Sequence, residues 1–313
     1  MGSKSPGPGA GPVVVALGGN TLLGEHGPWT IEEQRDAIEE TARSVAAAIQ
    51  DGHEVVLTHG NGPQVGNLLL QQERAPDTPQ LPLDVLVAET QAQIGYLLQQ
   101  ALDNELSGGR DFITVVTQVV VDPTDPAFED PTKPVGPFYT EAEADEKPFE
   151  TRKVSSGDRP YRRVVPSPEP TAVVETEEID RLVERGDLVI CVGGGGVPVV
   201  RGEGLRGVEA VVDKDRATRV LASDIGASRL VILTDVEFAY VNFGEPDQRP
   251  LRNVPVDELR THLENGEFAP GSMRPKVEAC LGFVESGGEL AAITSPENLE
   301  AALEGRAGTR VSP

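Results

Sequence analysis

Lysine is scarce in this chain of 313 residues, which has six lysines and 21 arginines. Acidic residues outnumber basic ones by 51 to 27, so the formal net charge at pH 7 is −24. A surface of that sign repels nucleic acid and anionic membranes, and we expect neither as a partner. An acid-rich, lysine-poor composition is typical of proteins from a salt-loaded cytoplasm, although an ordinary acidic protein would have the same sign of charge.

Long apolar runs and paired cysteines are also missing. No run of about 18 apolar residues occurs, which predicts that no segment spans a membrane. Cys191 and Cys280 lack CxxC spacing, and Cys191 lies in an apolar strand pattern typical of a buried thiol. Residues 1–11 are rich in Gly, Pro and Ser without the apolar core of a signal peptide, so we expect a disordered leader and a reducing cytoplasmic location.

The familiar nucleotide and metal signatures are absent from the sequence. No lysine follows a glycine, which excludes a Walker A loop, and Gly193–Gly196 runs into Val197-Pro198, so the GxGxxG pattern fails. There is no GxSxG, no HExxH and no metal-spaced Cys/His set, and we predict no metal ligands from the protein. His59, beside Gly60, is the one histidine in a suggestive setting, but a structural role is favoured for it.

What is present is an alternation of strand and helix patterns. Apolar runs predict strands at residues 13–17, 55–57, 112–121, 188–192, 230–233 and 290–293. Helical spacing predicts helices near residues 31–49, 64–73, 85–106, 173–185, 214–225, 256–263, 275–285 and 296–303. This alternation favours an α/β domain over residues 12–313 with a mostly parallel sheet.

Two segments depart from that regular pattern. Residues 85–106 carry apolar residues on two sides of one helix, so both sides should be buried, either within the chain or with one side against a second subunit. Residues 122–170 are dense in Pro, Gly and charge. Because a structureless linker of about 50 residues is improbable inside a compact domain, we predict an inserted lid subdomain there.

Three glycine-rich loops follow predicted strands: Gly18-Gly19-Asn20, Gly60-Asn61-Gly62 and Gly193–Gly196. The carboxyl ends of strands border the ligand crevice of an open α/β sheet, and glycine lets backbone N–H groups approach an anion closely. Each loop alone could be only a tight turn. The three together favour an anion-binding edge.

Three of the six lysines lie in loop or junction motifs, namely Lys133, Lys214 and Lys276. Lys214 follows Asp213 where a helix is predicted to begin, and the helix dipole and an ammonium group both favour an anion there. Because the chain otherwise uses arginine, the retained lysines indicate sites that need a compact ammonium group.

Taken together, these motifs resemble the carbamate kinases of the amino acid kinase family. The matching stretches run through most of the chain: 16–20, 59–65, 122–139, 162–168, 193–197, 212–215, 234–236, 240–243 and 271–278. The Lys133 segment separates carbamate kinases from the acetylglutamate, aspartate and uridylate kinases of the same fold. Those relatives usually carry a lysine where this chain has Ala16.

The resemblance implies an open, mainly parallel eight-stranded sheet sandwiched between helices, with a small protruding lid. It also implies reversible transfer of a phosphoryl group from ATP to carbamate, with Mg²⁺ carried by the nucleotide, in a cytoplasmic homodimer that could form through residues 85–106. By resemblance, the catalytic residues are Lys133, Lys214, Lys276 and Asp213. The substrate-binding residues are Gly18, Gly19, Asn20, Gly60 and Asn61, and the nucleotide-binding residues are Gly193, Gly194, Asp215, Thr234, Asp235, Tyr240 and Met273.

Two other functions stay open at this point. A different amino acid kinase would phosphorylate a carboxylate or phosphate of a larger substrate, although the Lys133 segment argues against it. A module that senses carbamoyl phosphate without turnover is the other, although the three motif lysines argue against that. Phe238-Ala239 and Arg274 depart from the residues common in the family, which leaves the adenine contacts open.

Overall fold

The computed structural model describes residues 11–23, 30–106 and 110–313. The strands, in chain order, are β1 (Val13–Leu17), β2 (Val55–His59), β3 (Phe112–Thr114), β4 (Gln118–Val121), β5 (Lys133–Tyr139), β6 (Thr151–Lys153), β7 (Tyr161–Val165), β8 (Pro170–Val173), β9 (Leu188–Ile190), β10 (Val197–Arg201), β11 (Leu205–Gly207), β12 (Arg229–Leu233), β13 (Tyr240–Val241), β14 (Arg249–Pro250), β15 (Asn253–Pro255), β16 (Leu290–Thr294) and β17 (Thr309–Ser312). The α-helices are α1 (Ile31–Gln50), α2 (Gly62–Arg74), α3 (Leu83–Leu106), α4 (Glu141–Asp145), α5 (Thr176–Glu184), α6 (Lys214–Asp224), α7 (Val256–Glu264), α8 (Met273–Glu285) and α9 (Leu299–Leu303).

The main sheet has eight strands in the order β15-β17-β16-β12-β1-β2-β9-β3. Its strands pair in parallel except where β17 runs antiparallel to β16. This confirms the predicted eight-stranded, mainly parallel sheet. Because β1 lies in the middle, the loops that follow β1 and its neighbours β2 and β12 meet at one edge.

Helices cover both faces of this sheet, as alternation along β1 shows. Val13, Val15 and Leu17 pack into a core with α1, α3 and α9, whereas Val14 and Ala16 pack into a second core with α5, α6, α7 and α8. A strand buried on both faces reads as a continuous apolar run, which is why β1 shows no polar alternation. The arrangement confirms a sheet sandwiched between helices.

Residues 133–165 fold as a small unit of their own. Strands β5, β7 and β6 form a three-stranded antiparallel sheet, with α4 between β5 and β6. Strand β4 precedes this unit in the chain and β8 follows it. Both belong to a second sheet, which has four strands in the order β11-β10-β4-β8. Most of the segment predicted as an insert is therefore a small sheet, and we call the β5-β7-β6 unit with α4 the lid.

Three element predictions were wrong in detail. Residues 112–121 were expected as one strand but divide into β3, in the main sheet, and β4, in the four-stranded sheet. The helix expected from residue 173 begins at Thr176, because Val173 ends β8 and pairs with Val119. Residues 201–207, where no element was predicted, contain β11, which forms a hairpin with β10.

Helix α3 buries one side well and the other only partly. Val87, Ile94, Leu98 and Ala101 are buried, as is Gly95. On the other side, where Gly95 lies, Leu102 is also buried but Ala92 is exposed, and Tyr96 next to this stripe keeps 54% of its surface accessible. The apolar stripe predicted there is therefore not wholly covered within this chain.

Three further predictions concern the N-terminal leader, the two cysteines and membrane-spanning segments. Residues 1–10 of the predicted leader lie outside the described residues, while the carbonyl of Gly11 accepts a hydrogen bond from Ser228 Oγ at 2.8 Å. Cys191 and Cys280 are both buried and free, as predicted for Cys191. Within the described ranges, no helix is long and apolar enough to cross a bilayer.

Candidate active site

The first two glycine loops lie side by side at the carboxyl edge of the sheet. Leu17 at the end of β1 is in register with His59 of β2 and Leu233 of β12. The Gly18 amide donates to Leu233 O and the Gly60 amide to Leu17 O, both at 3.1 Å. Because these two amides already have acceptors, Gly18 and Gly60 contribute to the site by their position and not as the free donors we expected.

Glycine is required in these loops because the backbones approach closely. A Cβ at Gly60 would lie 3.1 Å from the Gly19 amide nitrogen, and one at Gly18 would lie 2.9 Å from Leu233 O. Asn20 begins a short 3₁₀ turn, Asn20–Leu22, and its side chain lies outside the part that the structure describes. The loop therefore presents backbone, close packed against backbone, to the crevice.

Asn61 is buried beside the third glycine loop. Its side chain donates to Thr90 Oγ1 at 2.8 Å, and a Cβ at Gly194 would come within 2.1 Å of Asn61 Nδ2. Gly193 lies in the same way against the His59 ring. Gly193 and Gly194 thus leave room for His59 and Asn61, and neither is among the residues that line the cavity described below as the nucleotide cavity.

His59 is fully buried, and its Nδ1 lies 3.0 Å from Gly60 O. Burial lowers the pKa of His59 to about 4, with the nearby Lys214 cation acting in the same direction and the Gly60 carbonyl opposing it. The imidazole is therefore neutral at neutral pH and held against the backbone. This geometry agrees with a structural role for His59.

Helix α6 begins at the crevice, as the sequence predicted, and Asp213 is its N-cap. Asp213 Oδ1 accepts from the amides of Asp215 and Arg216 at 3.0 and 3.4 Å. Its other oxygen accepts from Lys133 Nζ at 2.9 Å. One carboxylate therefore caps the helix and anchors the lysine that comes from the lid.

Asp215, in the first turn of α6, holds the other two lysines. Its oxygens lie 2.6 Å from Lys214 Nζ and 3.0 Å from Lys276 Nζ, and only 3% of the residue is exposed. Asp215 was expected to bind the nucleotide, but both of its oxygens face lysines. The three lysines predicted from separate motifs thus meet at one helix N-terminus.

Lys214 differs from its neighbours in its hydrogen bonding. Its ammonium is within ion-pair distance of Asp215 but not aligned for a hydrogen bond, and it has no hydrogen-bond partner among the described residues. Burial lowers the pKa of Lys214, and the nearby Lys276 cation adds to that effect against the pull of Asp215. A buried cation with unused donors is suited to an anionic ligand.

Two further members of the cluster, Asp213 and Lys276, are held in their charged forms. Burial acts against ionisation of Asp213, but the Lys133 cation and its hydrogen bond lower the pKa of Asp213 to about 2. Burial likewise opposes the charge on Lys276, but Asp215 outweighs it and raises the pKa of Lys276. Asp213 is therefore held as an anion by Lys133, and Lys276 as a cation by Asp215.

A cavity of about 420 Å³ opens on the Lys276 side of the cluster. Its lining includes Gly18, Gly19 and Lys276, together with Thr234, Asp235, Tyr240, Met273, Phe243, Glu267 and Phe268. Phe243 is 69% exposed and stacks in tilted fashion on Tyr240, with ring centroids 6.0 Å apart. An apolar pocket with an anion-binding end fits a nucleotide.

A second cavity of about 420 Å³ lies on the Lys133 side, between α2 and the lid. Its lining includes Asn61, Gly62, Lys133, Gly136 and Arg162. The N-terminus of α2 opens into it at Gly62. We call these two spaces the nucleotide cavity and the lid cavity, and the lysine–aspartate cluster contributes to both.

Sequence reasoning gave no role to several residues that line these cavities, among them Arg162, Phe243 and Glu267. Arg162 fell in a matched stretch but was given no role, and Phe243 and Glu267 were not singled out as site residues. The matched stretch was a sequence signal that could have given Arg162 a role. In the structure Arg162 lies in β7, which pairs with β5, the strand that contains Lys133. Glu267 and Phe268 come from a loop whose approach to the cavity depends on tertiary packing.

Comparison with known proteins places these features in a family. Residues 11–295 match the model of the amino acid kinase family. The carbamate kinase of Halobacterium salinarum is 56% identical over 303 residues, covering 96% of this chain and 98% of that protein. The carbamate kinase of Pyrococcus furiosus is 49% identical over 310 residues, covering 96% and 99%.

The chain belongs to the amino acid kinase family, among its carbamate kinases. A solved structure agrees: the carbamate kinase from Giardia lamblia bound to AMP-PNP superposes with a TM-score of 0.91 at 41% identity, covering 97% of this chain and 99% of that one. The chain is therefore a kinase with the amino acid kinase fold, as its resemblance implied.

Proposed function

We propose that this amino acid kinase transfers the γ-phosphoryl group of ATP to carbamate, giving ADP and carbamoyl phosphate, and catalyses the reverse reaction. The observation that carries the proposal is the meeting of Lys133, Lys214 and Lys276 between the two cavities. The proposal is supported by its relatives, which are carbamate kinases, and by the AMP-PNP bound in the Giardia lamblia structure.

In this proposal ATP occupies the nucleotide cavity and carbamate the lid cavity. Thr234, Asp235, Tyr240 and Met273 surround the nucleoside, while Gly19 and Lys276 border its phosphates. Asn61 and Lys133 border carbamate. The transferred group then passes between the cavities beside Lys214, which suits in-line displacement.

The chemical step needs no general base. A carbamate oxygen, already anionic, forms a bond to the γ-phosphorus while the bond from that phosphorus to the β-phosphate oxygen breaks, and the electron pair leaves with ADP. The lysines neutralise charge on the moving phosphoryl group, and the two aspartates keep them in place. A buried, neutral His59 fits a reaction in which no proton has to be removed.

Magnesium enters this scheme as part of the nucleotide substrate. No group of three or more His, Cys, Asp or Glu side chains that could hold a metal occurs within residues 11–23, 30–106 and 110–313. The two carboxylates of the cluster, Asp213 and Asp215, are engaged with lysines. We therefore propose that the phosphate oxygens and water supply its ligands.

The reverse reaction tests the proposed function. Purified protein is incubated with carbamoyl phosphate, ADP and Mg²⁺ in molar KCl, and ATP is measured. We expect ATP to form, with no phosphorylation of acetylglutamate or UMP in the forward direction. Folded protein that makes no ATP would contradict the proposal, and activity only on the larger substrates would favour the other amino acid kinases.

We further propose a cytoplasmic homodimer that uses the partly exposed side of α3. Val85 and Tyr96 of α3 are 37% and 54% exposed, which is unusual for large apolar side chains on a well-packed helix. Sedimentation of the wild type and of Tyr96→Arg tests this proposal. A monomeric wild type would contradict it, as would a Tyr96→Arg protein that remains a dimer.

A further inference from the structure

Arg162 is a cation without a carboxylate partner in a strongly acidic chain. Three other arginines in and next to the lid form ion pairs: Arg152 with Asp130 and Glu150, Arg159 with Glu143, and Arg163 with Glu209. Among the described residues, Arg162 has no carboxylate within the 4.0 Å that defines such a pair. Since acidic residues outnumber basic ones 51 to 27, this lack is not explained by a shortage of carboxylates.

The side chain of Arg162 is nevertheless held firmly in one direction. Its Nε and Nη2 donate to Gly136 O at 3.0 and 2.8 Å, and its guanidinium carbon lies 4.9 Å from the centroid of the Phe138 ring. Gly136 has a φ of +72°, at the bulge in β5 between Val135 and Phe138. The bulge turns the Gly136 carbonyl towards Arg162, so the guanidinium is positioned before any ligand arrives.

This anchoring leaves part of the guanidinium free to donate. Arginine has five N–H donors in a planar fork, and one carbonyl oxygen takes only the Nε edge. The Nη1 group and the remaining Nη2 hydrogen have no acceptor among the described residues. Such a free edge matches the two oxygens of a carboxylate-like anion or of a phosphate.

Arg162 lines the lid cavity together with Lys133 and Asn61. Lys133 reaches the cluster through its bond to Asp213, so it belongs to the reacting end of the cavity. Arg162 is anchored to the bulge of β5 instead, and it is the second cation of this cavity. The cavity therefore offers an oxyanion two cations from two different strands of the lid.

We propose that Arg162 is a substrate-binding residue that donates to an oxygen of carbamate, or of carbamoyl phosphate in the reverse reaction, beneath the lid. This proposal rests on the proposed function, because it deepens the assignment of the lid cavity to the smaller substrate. Arg162 stabilises the bound anion before and after transfer, whereas the lysine cluster stabilises the phosphoryl group during transfer. Its loss therefore weakens binding more than it slows the chemical step.

The test compares Arg162→Met and Arg162→Lys with the control Arg159→Met. Arg159 also donates to a β5 carbonyl, that of Phe138, but it is ion-paired and lies outside the cavity lining. We expect Arg162→Met to raise KM for carbamoyl phosphate on the order of tenfold to a hundredfold, as loss of a charged hydrogen bond does. KM for ADP and kcat stay close to wild type, Arg162→Lys is intermediate, and Arg159→Met resembles wild type.

An unchanged KM for carbamoyl phosphate in a folded Arg162→Met protein would overturn the proposal while leaving the proposed function intact. A fall in kcat with KM unchanged would also overturn it, because that pattern indicates only a structural role in the lid.

A second measurement keeps the inference testable if the wild type forms no ATP. Arginines of the full chain are modified with phenylglyoxal, with and without inorganic phosphate, and modified peptides are quantified by mass spectrometry. We expect phosphate to slow modification of Arg162 but not of Arg159. Equal rates at Arg162 with and without phosphate would overturn the binding site itself.

Discussion

At the scale of single residues, two aspartates at the start of one helix hold three lysines by ion pairs. Asp213 binds Lys133 through one oxygen and caps α6 through the other. Asp215, two residues later, faces Lys214 and Lys276. The negative charges of the two carboxylates offset the repulsion among the three ammonium groups, so the three lysines can lie close together. In the proposed reaction, Lys214 is the lysine most available to the moving phosphoryl group, because its ammonium has unused donors.

His59 makes the pH dependence of stability testable. Its pKa is about 4 in the folded protein, below its ordinary value of 6.5, so the unfolded chain binds the proton first as pH falls. The stability due to His59 is complete above pH 6.5 and is lost as pH falls towards 4. When the pH falls from 7.5 to 5.0 at constant salt, protonation of His59 in the unfolded chain should lower the free energy of unfolding by about 2 kcal/mol.

Urea unfolding of the wild type and His59→Asn at both pH values measures this contribution. Asparagine can keep a donor to Gly60 O but cannot take up a proton. Between the two pH values, the free energy of unfolding of His59→Asn should therefore fall less than that of the wild type, by the amount that His59 contributes. An equal loss in both proteins would contradict the assigned neutral state of His59.

The sequence predicted the three lysines well because lysine is so rare that its retention was informative. The resemblance implied a catalytic role for Asp213 and a nucleotide-binding role for Asp215, whereas in the structure Asp213 holds Lys133 and Asp215 holds the other two lysines. The roles of Gly193 and Gly194 could not be predicted from their position after a strand. That position shows which edge of the sheet they occupy, whereas the side chains that fill the space around them come from β2, the loop after β2, and α3.

At the scale of elements, the third glycine loop supports the substrate side of the crevice. Val192 has a φ of +50°, which is costly for a β-branched residue, and Gly194 follows with a φ of +65°. The Val192 amide donates to Thr117 Oγ1 at 3.0 Å, which helps to hold this backbone. Strain of this kind is retained where surrounding structure fixes it, commonly at functional sites.

Gly194→Ala tests how far Asn61 depends on that loop. The added Cβ would lie within 2.1 Å of Asn61 Nδ2, so Asn61 must move and its bond to Thr90 must break. We expect kcat for ATP formation to fall at least about tenfold. The free energy of unfolding should fall by more than the roughly 1–2 kcal/mol that a left-handed alanine costs.

Gly226→Ala is the matched control for this prediction. Gly226 has a similar φ of +61°, but a Cβ there would meet no atom within 4 Å. It should therefore lose stability through backbone strain alone and keep its activity. If both variants kept full activity, the proposed role of Asn61 beside the substrate would be wrong.

The order of strands and helices could be predicted because apolar runs and helical spacing are local signals. The division of residues 112–121 could not, since β3 and β4 join different sheets while the sequence stays apolar throughout. The short strand β17 was missed because its alternating pattern spans only four residues. Its antiparallel pairing with β16 depends on where the chain returns to the sheet.

At the scale of the whole molecule, the net charge of −24 governs the response to salt. Repulsion among surface carboxylates destabilises the compact state at low ionic strength, where the Debye length is about 30 Å at 0.01 M. We expect the melting temperature to rise markedly between about 0.01 and 1 M KCl, as screening shortens that length to about 3 Å. Equal melting temperatures at both concentrations would contradict a salt-adapted surface.

In the proposed reaction, Lys133 of the lid, Lys214 of α6 and Lys276 of α8 neutralise a phosphoryl group as it passes between the two cavities. The most direct test is kcat for ATP formation in Lys133→Met, Lys214→Met and Lys276→Met, with Lys153→Met, an exposed lysine of the lid, as the control. We predict that each cluster variant remains folded and loses roughly a hundredfold to a thousandfold or more in kcat, while the control is unchanged. Cluster variants that keep turnover close to that of the control would contradict the account.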